Sequence, residues 1–481
     1  MPRQWSKVIL IVVIGFAVYA NSLNGKFIWD DYLLVRNNEH IDKLSNFAKF
    51  FTLDTTAGSG VAYGFYRPLQ LLSYALNYSL WGINVGGYHL TNTILHILVA
   101  LCVFSLARLL FLNEFLALLS ALLFLVHPVQ TEAVAYISGR ADSLAAIFLL
   151  LSLIFYIKYL KINSFKSYFL ILINFALALL SKENSLALLF LILLYHYVFK
   201  EKINPKKILS LFCVAALYII LRTLVIKGLL PYIPSQDNFL QRIPGFFVAV
   251  TDYIKLLILP FGLHMEYGNW LFSLFNPKAL LGLAIFLLPL AAIFKKQQSH
   301  KLLSFALGWF FITLLPVSNV IRVNLSYMME HWLYLPSIGF FLILSGCIYQ
   351  IYKKEKLKIL AIVMSGSIVL FYALLTVKQN NYWHDDVAFY ETTVKYKPNT
   401  PRIYYNLGLT YGNLGRYKEA IQQYQKALEL NPNYFLAQNN IAVMYYYEKQ
   451  YTLAIKHADQ ALKLGYEVSP GFLELLKPYR K

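Results

Sequence analysis

The sequence predicts an all-α protein: a polytopic membrane helix bundle of about eleven crossings, followed by a short superhelix of paired helices. Three observations predict it. Apolar residues make up 58% of the 481 positions and charged residues only 14%, against about 45–50% and ~25% in ordinary soluble proteins. Apolar runs close to bilayer length recur throughout residues 1–382. The composition then changes: residues 383–481 hold 21 charged residues in 99, whereas 1–382 hold 46 in 382.

The runs lie at 8–23, 89–112, 114–130, 143–160, 165–181, 184–200, 207–226, 279–294, 301–318, 332–352 and 358–377. A helix needs ~20 mostly apolar residues to cross. The first run follows Arg3 and Lys7, but Asn24-Gly25-Lys26 behind it is no small-residue cleavage site, so it reads as a retained helix. Lysines and arginines in short loops set orientation. With the N-terminus inside, the cytoplasmic loops collect Lys158, Lys161 and Lys166, then Lys200, Lys202, Lys206 and Lys207. Next come Lys295, Lys296 and Lys301, then Lys353, Lys354, Lys356 and Lys358. The short external loops hold only Arg140, Lys182 and Arg322. Residues 246–263 are apolar but contain Asp252 and Lys255. A full crossing there would throw the later lysine clusters outside, so this segment is expected to re-enter or lie in the interface. The C-terminus is then periplasmic or lumenal, with a bacterial inner membrane favoured.

Net charge is +19. Its excess sits in the apolar part, where topology and anionic lipid account for it. No basic stripe on a soluble surface is visible, so nucleic acid is not an expected partner. Cys102, Cys213 and Cys347 all lie in apolar runs, which leaves no disulfide framework and no cysteine zinc site.

The tail repeats. Tyr404-x-x-Leu407-Gly408-x-x-Tyr411, then Ala420, Tyr424, Ala427 and Pro432, match the 34-residue tetratricopeptide pattern. A shift of 34 finds Ile441, Ala442, Tyr445, Ala454 and Ala461. A half repeat from Trp383 therefore leads into two full repeats, and Pro470–Lys481 reads as a capping helix. Small residues at Gly408/Ala442, Ala420/Ala454 and Ala427/Ala461 let the helices approach closely.

Polar residues collect on the external face, in segments 24–88, 128–142, 181–184, 227–278 and 319–331. Ionisable residues at a membrane surface are functional hypotheses by default. Asp30 and Asp31 follow the first crossing directly, behind Trp29. Neighbouring carboxylates push their pKa values apart and can divide two roles, or they can be a helix cap and a solvated acid. His127-Pro128-x-x-Thr131-Glu132 continues to Gly139-Arg140-Ala141-Asp142. Arg140 is suited to bidentate phosphate binding, or to a structural pair with Asp142 or Glu132. Lys182-Glu183 sits in a tight external turn, Glu266 follows the re-entrant segment, and Glu330-His331 leads into a crossing.

These residues resemble a known family. Trp29-Asp30-Asp31, Tyr66-Arg67-Pro68-Leu69, His89-Leu90-Thr91-Asn92, the two motifs just quoted, Ser181-Lys182-Glu183 and Glu330-His331-Trp332-Leu333-Tyr334-Leu335-Pro336-Ser337 look like the transmembrane and tetratricopeptide-repeat containing O-mannosyltransferases. Those belong with the polytopic glycosyltransferases that use polyprenyl-phosphate sugars. The resemblance runs almost end to end and departs in having far fewer repeats than the animal members. It implies a glycosyltransferase domain over 1–382, with external loop 24–88, and a repeat domain over 383–481. It implies an inverting transfer of a sugar such as mannose to an acceptor hydroxyl, with the acidic pair at Asp30-Asp31. Asp30 would be the general base. Arg140, with His127 or Lys182, would hold the lipid phosphate, and Glu132, Asp142, Glu183, Glu266, Glu330 and His331 would support the site. No cofactor is implied; a divalent metal at Asp31 and Glu132 stays open. Asn406 and Asn440, 34 residues apart, would hold a polypeptide acceptor by its backbone, or bond between neighbouring repeats. The competing readings are a membrane anchor displaying a repeat scaffold for partner proteins, and a transporter.

Overall fold

The computed structural model describes residues 2–227, 238–268, 270–295, 301–320 and 326–480. Lys296 and Arg322, counted above for orientation, lie outside the described residues. Among the described residues there is no strand. The chain divides into two units, Met1–Trp383 and His384–Lys481.

In the first unit every apolar run is helical. α1 (Pro2–Tyr19) is followed by a long loop carrying α2 (Phe47–Thr52) and α3 (Pro68–Trp81). Then come α4 (Val85–Phe111), α5 (Glu114–Val126), the single turn α6 (Thr131–Val134), α7 (Arg140–Ile162), α8 (Phe165–Ser181), α9 (Ala187–Phe199) and α10 (Pro205–Ile226). After these stand α11 (Phe239–Ile258), α12 (Pro277–Lys295), α13 (Lys301–Leu314), α14 (Pro336–Tyr352) and α15 (Lys358–Asn380). Among the described residues five stretches are long and apolar enough to cross a membrane: Trp5–Asn24, Val85–Phe111, Ile137–Ile162, Pro205–Ile226 and Glu355–Trp383. α8, α9, α13 and α14 are apolar but shorter, as is the described apolar part of α12, Pro277–Leu287. α11 falls in neither group. It carries Asp252, which pairs with Lys278 at 2.7 Å. The protein is thus a multi-pass membrane helix bundle, with α7 packed between α4 and α8 at its centre.

One apolar helix is broken, and the break builds the site. α5 starts on Asn113, whose Oδ1 accepts the Leu116 N–H at 2.8 Å. It stops before Pro128, which cannot continue a helical ladder, and the chain bends by 56° into the next short helices. Carbonyls freed inside a membrane need new donors. His96 Nε2 serves Leu125 O at 3.1 Å, and Thr376 Oγ1 donates to Val126 O at 2.6 Å. Beyond the bend, a Cβ on Gly139 would meet Glu132 O at 2.3 Å. Glycine there lets the 139 turn fold back onto the 132 turn.

The second unit stacks α16 (Asp386–Tyr396), α17 (Pro401–Asn413), α18 (Tyr417–Leu430), α19 (Phe435–Tyr447), α20 (Tyr451–Lys463) and α21 (Pro470–Leu476). α17–α18 and α19–α20 are the two repeated hairpins, each helix packing on the next. Ala420, Ala427, Ala442, Ala454 and Ala461 are all fully buried. Gly408 lies against the Tyr424 ring, which a Cβ would meet at 2.8 Å. Small residues at repeat spacing are thus the points of close helix approach.

Candidate active site

A cavity of about 520 Å³ opens among the first long loop, the 128–142 turns, the 182–186 turn, the end of α10 and residues 316–332. Asp30, Glu132, Asp142, Lys182, Glu183 and His331 line it together with Arg67 and Arg222. Six residues singled out in the sequence, from four separate segments, therefore meet in one place.

The acidic pair is split by the backbone. Trp29 is left-handed, at φ 45°, a conformation costing a bulky residue roughly 1–3 kcal/mol. Its ring stacks on Tyr136, which stacks in turn on Trp383. This turn presents Asp30 to the cavity and sends Asp31 inward, where it is fully buried. Asp31 accepts from Ile28 N at 3.1 Å, Ser138 N at 2.8 Å and Ser138 Oγ at 2.5 Å. It ties the first loop to the 138 turn. Burial pushes its pKa up to about 7, with the Asp30 charge adding to the rise and the Ser138 and Ile28 donors opposing it. Asp31 is thus bound inside the fold, and Asp30 is the acid of the pair that lines the space.

Opposite charge gathers around the 182–183 turn. Lys182 Nζ reaches both Asp142 oxygens, at 2.6 and 2.7 Å, in a buried pair. Arg67 grips Glu183 with both ends of its fork, Nη2 to Oε1 at 2.9 Å and Nε to Oε2 at 3.3 Å. Arg222 stands 3.6 Å from the same carboxylate. On the far wall, Glu132 holds His331 twice, accepting its N–H at 2.8 Å and meeting Nδ1 at 2.7 Å.

Four expectations change. Arg140 does not reach the cavity: it is fully buried, and Nε donates to Asn92 at 2.7 Å and Nη2 to Tyr88 O at 3.1 Å. Nη1 points to Ser73, and the plane lies 4.6 Å from the Tyr74 ring centre. Neither expected acidic partner pairs with it, because Asp142 is taken by Lys182 and Glu132 by His331. His127 also turns inward. Its Nδ1 accepts from Val129 N at the helix break and its Nε2 donates to Leu257 O near the end of α11, so both ring nitrogens serve backbone groups. Glu330 is buried behind the cavity wall, accepting from His264 N at 2.5 Å and Tyr267 OH at 2.6 Å. Burial, then the Glu132 charge, hold its pKa well above the usual carboxylate range. Glu266 is half-buried and outside the cavity lining. Asp31 and Glu132, the pair left open to a metal, spend their oxygens on N–H and O–H donors. Among the described residues no group of three His, Cys, Asp or Glu is gathered as an ion site.

Arg67 and Arg222 were given no role from the sequence. Arg67 stood inside a quoted motif. Arg222 was hidden at the end of the 207–226 run, where an arginine in an apolar span was itself the signal.

In the tail, Asn440 lines a second cavity of about 290 Å³ with Tyr424, Met444 and Tyr447. Its Nδ2 donates to Tyr405 OH at 3.1 Å, a bond between neighbouring repeats. Asn406 is half-buried and does not line that cavity.

Fold and site together define a multi-pass helical membrane protein with a charged cavity and a repeat tail. Residues 68–226 match the family model described as dolichyl-phosphate-mannose-protein mannosyltransferase, and residues 401–434 match that of the tetratricopeptide repeat. The chain is 28% identical to the protein O-mannosyl-transferase F38B6.6 of Caenorhabditis elegans, over 88% of this chain and 63% of that protein. It is 28% identical to human TMTC1, over 89% of this chain and 55% of that one, and 26% identical to mouse TMTC3, over 92% and 53%. The resemblance first read from the motifs thus extends along most of the chain, which spans little more than half the length of these relatives. Among solved structures it aligns with ArnT from Cupriavidus metallidurans bound to undecaprenyl phosphate, with a TM-score of 0.47 at 12% identity, over 96% of this chain and 78% of that one.

Proposed function

We propose that this chain is a membrane glycosyltransferase that moves a sugar, mannose by its resemblance, from a polyprenyl-phosphate donor to a hydroxyl on a polypeptide. The observation that carries this reading is the cavity itself. A half-buried acid, Asp30, shares it with two arginines that both pair with one carboxylate, Glu183. In the reaction, Asp30 takes the proton of the acceptor hydroxyl as that oxygen attacks the anomeric carbon. The bond from that carbon to the phosphate oxygen breaks on the opposite face, and configuration inverts. Arg67 and Arg222 receive the negative charge gained by the leaving phosphate, and Lys182, neutralised by Asp142, shapes the site beside them. The purified protein should transfer from polyprenyl-phosphate mannose and not from nucleotide-linked mannose. Transfer from the nucleotide sugar at an equal rate would overturn the reading.

The same reading puts the cavity and the tail on the external side. It supposes eleven crossings, with α11 lying in the interface. A reporter fused after Lys481 is expected to be active in the periplasm or lumen. Activity on the cytoplasmic side would mean that α11 crosses.

For the acceptor, the groove at Asn440 supports a polypeptide more than a glycan. Asn440→Ala is expected to reduce transfer to a protein acceptor and to spare a small hydroxyl acceptor, whereas Asn406→Ala should have the smaller effect. Equal activity on both acceptors, with an unchanged melting temperature, would detach the tail from acceptor binding.

A further inference from the structure

Glu183 sits where the proposed chemistry needs an anion other than itself. Its carboxylate fills the planar fork of Arg67, the geometry in which an arginine binds a phosphate. Arg222 completes the cradle, but loosely. Its Nη2 reaches Gly64 O at 3.5 Å, Nη1 is 3.6 Å from Glu183, and Nε has no hydrogen bond although the residue is 4% exposed. A buried guanidinium with unused donors is costly to leave so. Of the three side chains, Glu183 is the most accessible at 32%, against 17% for Arg67 and 5% for Arg222. The neighbouring Lys182 cannot supply the missing contacts, because an ammonium only donates. The cradle therefore has two cations, an unfilled donor on Arg222, and one monoanion that lines the open space and is the most accessible of the three.

We infer that Glu183 is an internal stand-in for the donor's phosphate: a phosphodiester displaces it from Arg67 and Arg222, and its return helps expel the phosphate product. This rests on the phosphate site proposed above. The matching of charge favours it. A polyprenyl-phosphate sugar is a monoanion like the carboxylate it replaces, so exchange leaves the cradle's charge unchanged. The product is a phosphate monoester, which carries up to one charge more and would hold the arginines too tightly without a competitor.

The test measures binding of undecaprenyl phosphate to the full-length protein in nanodiscs of zwitterionic lipid, with inorganic phosphate and anionic-lipid nanodiscs as separate arms. Glu183→Gln is expected to bind undecaprenyl phosphate on the order of tenfold more tightly and to turn over more slowly at saturating donor. Arg222→Gln is expected to bind it on the order of tenfold more weakly. Tightening seen with inorganic phosphate as well would show that the cradle reads the phosphate group alone; tightening confined to the lipid would show that the chain is needed too. Glu183→Gln binding equally or more weakly would overturn the inference, since a carboxylate that merely orients the arginines must weaken binding when lost. That result beside a weakened Arg222→Gln would leave the phosphate site standing. Unchanged binding by Arg222→Gln would remove the site and the inference together. Glu183→Ala is the second variant. If neither it nor Glu183→Gln folds, Glu183 is a structural counterion and the inference fails.

Discussion

Asp30→Asn is expected to yield a folded protein that transfers sugar about 10²–10⁴-fold more slowly, the usual loss when a general base is removed. Asparagine keeps the shape of the side chain at the cavity wall but cannot take a proton. The control is its neighbour. Asp31→Asn replaces one of the two acceptor oxygens with which Asp31 holds Ile28 in its own loop and Ser138 in the next turn, so its effect should appear in thermal stability, by about 1–3 kcal/mol. The pH dependence separates the two acids further. Burial raises Asp31 from 3.8 to about 7, so the folded state holds this proton more tightly than the unfolded chain. Its contribution to stability is therefore full below pH 3.8 and is lost as pH rises through about 7. Asp31→Asn should flatten that slope, whereas Asp30→Asn should leave it in place. A wild-type transfer rate in Asp30→Asn would mean that another group is the base.

Arg140→Lys is expected to cost the fold and not the donor. The guanidinium is enclosed by Asn92, Ser73 and Tyr88 and lies over two tyrosine rings. An ammonium cannot reproduce that planar set of donors, and each buried acceptor left unmet costs about 1–3 kcal/mol. Summed over the acceptors lost, the expected destabilisation is about 3 kcal/mol or more, read as a lower melting temperature and a lower yield of folded protein. The fraction that folds should keep the wild-type KM for the lipid donor. A raised donor KM at an unchanged melting temperature would return Arg140 to the phosphate site.

Period and composition determined the helices of this protein without help from the rest of the fold. A run of twenty apolar residues has one stable state in a bilayer, because every backbone group must be satisfied within the segment. A tetratricopeptide hairpin is similarly fixed by small residues at set spacing. Asp30, Glu132, Asp142, Lys182, Glu183 and His331 were also legible as a group, since an ionisable residue beside a membrane is conspicuous in an apolar chain.

Partner choice was not legible, because it depends on direction and burial. The motif holding Asn92 and the motif holding Arg140 are 48 residues apart in the chain and bind each other, which turns an apparent phosphate ligand into a packing element. His127 stood in a quoted motif, yet its nitrogens serve backbone groups, one at the break and one in α11. Asp30 and Asp31 are adjacent in sequence, and only the left-handed turn at Trp29 decides which one meets the cavity. Arg67 and Arg222, 155 positions apart, become one cradle because α3 and α10 end at the same opening. Helix formation is local, so the sequence carries it openly; the assignment of each charge to a wall, a core or a cavity is made only when distant helices pack and remove water from all but one face.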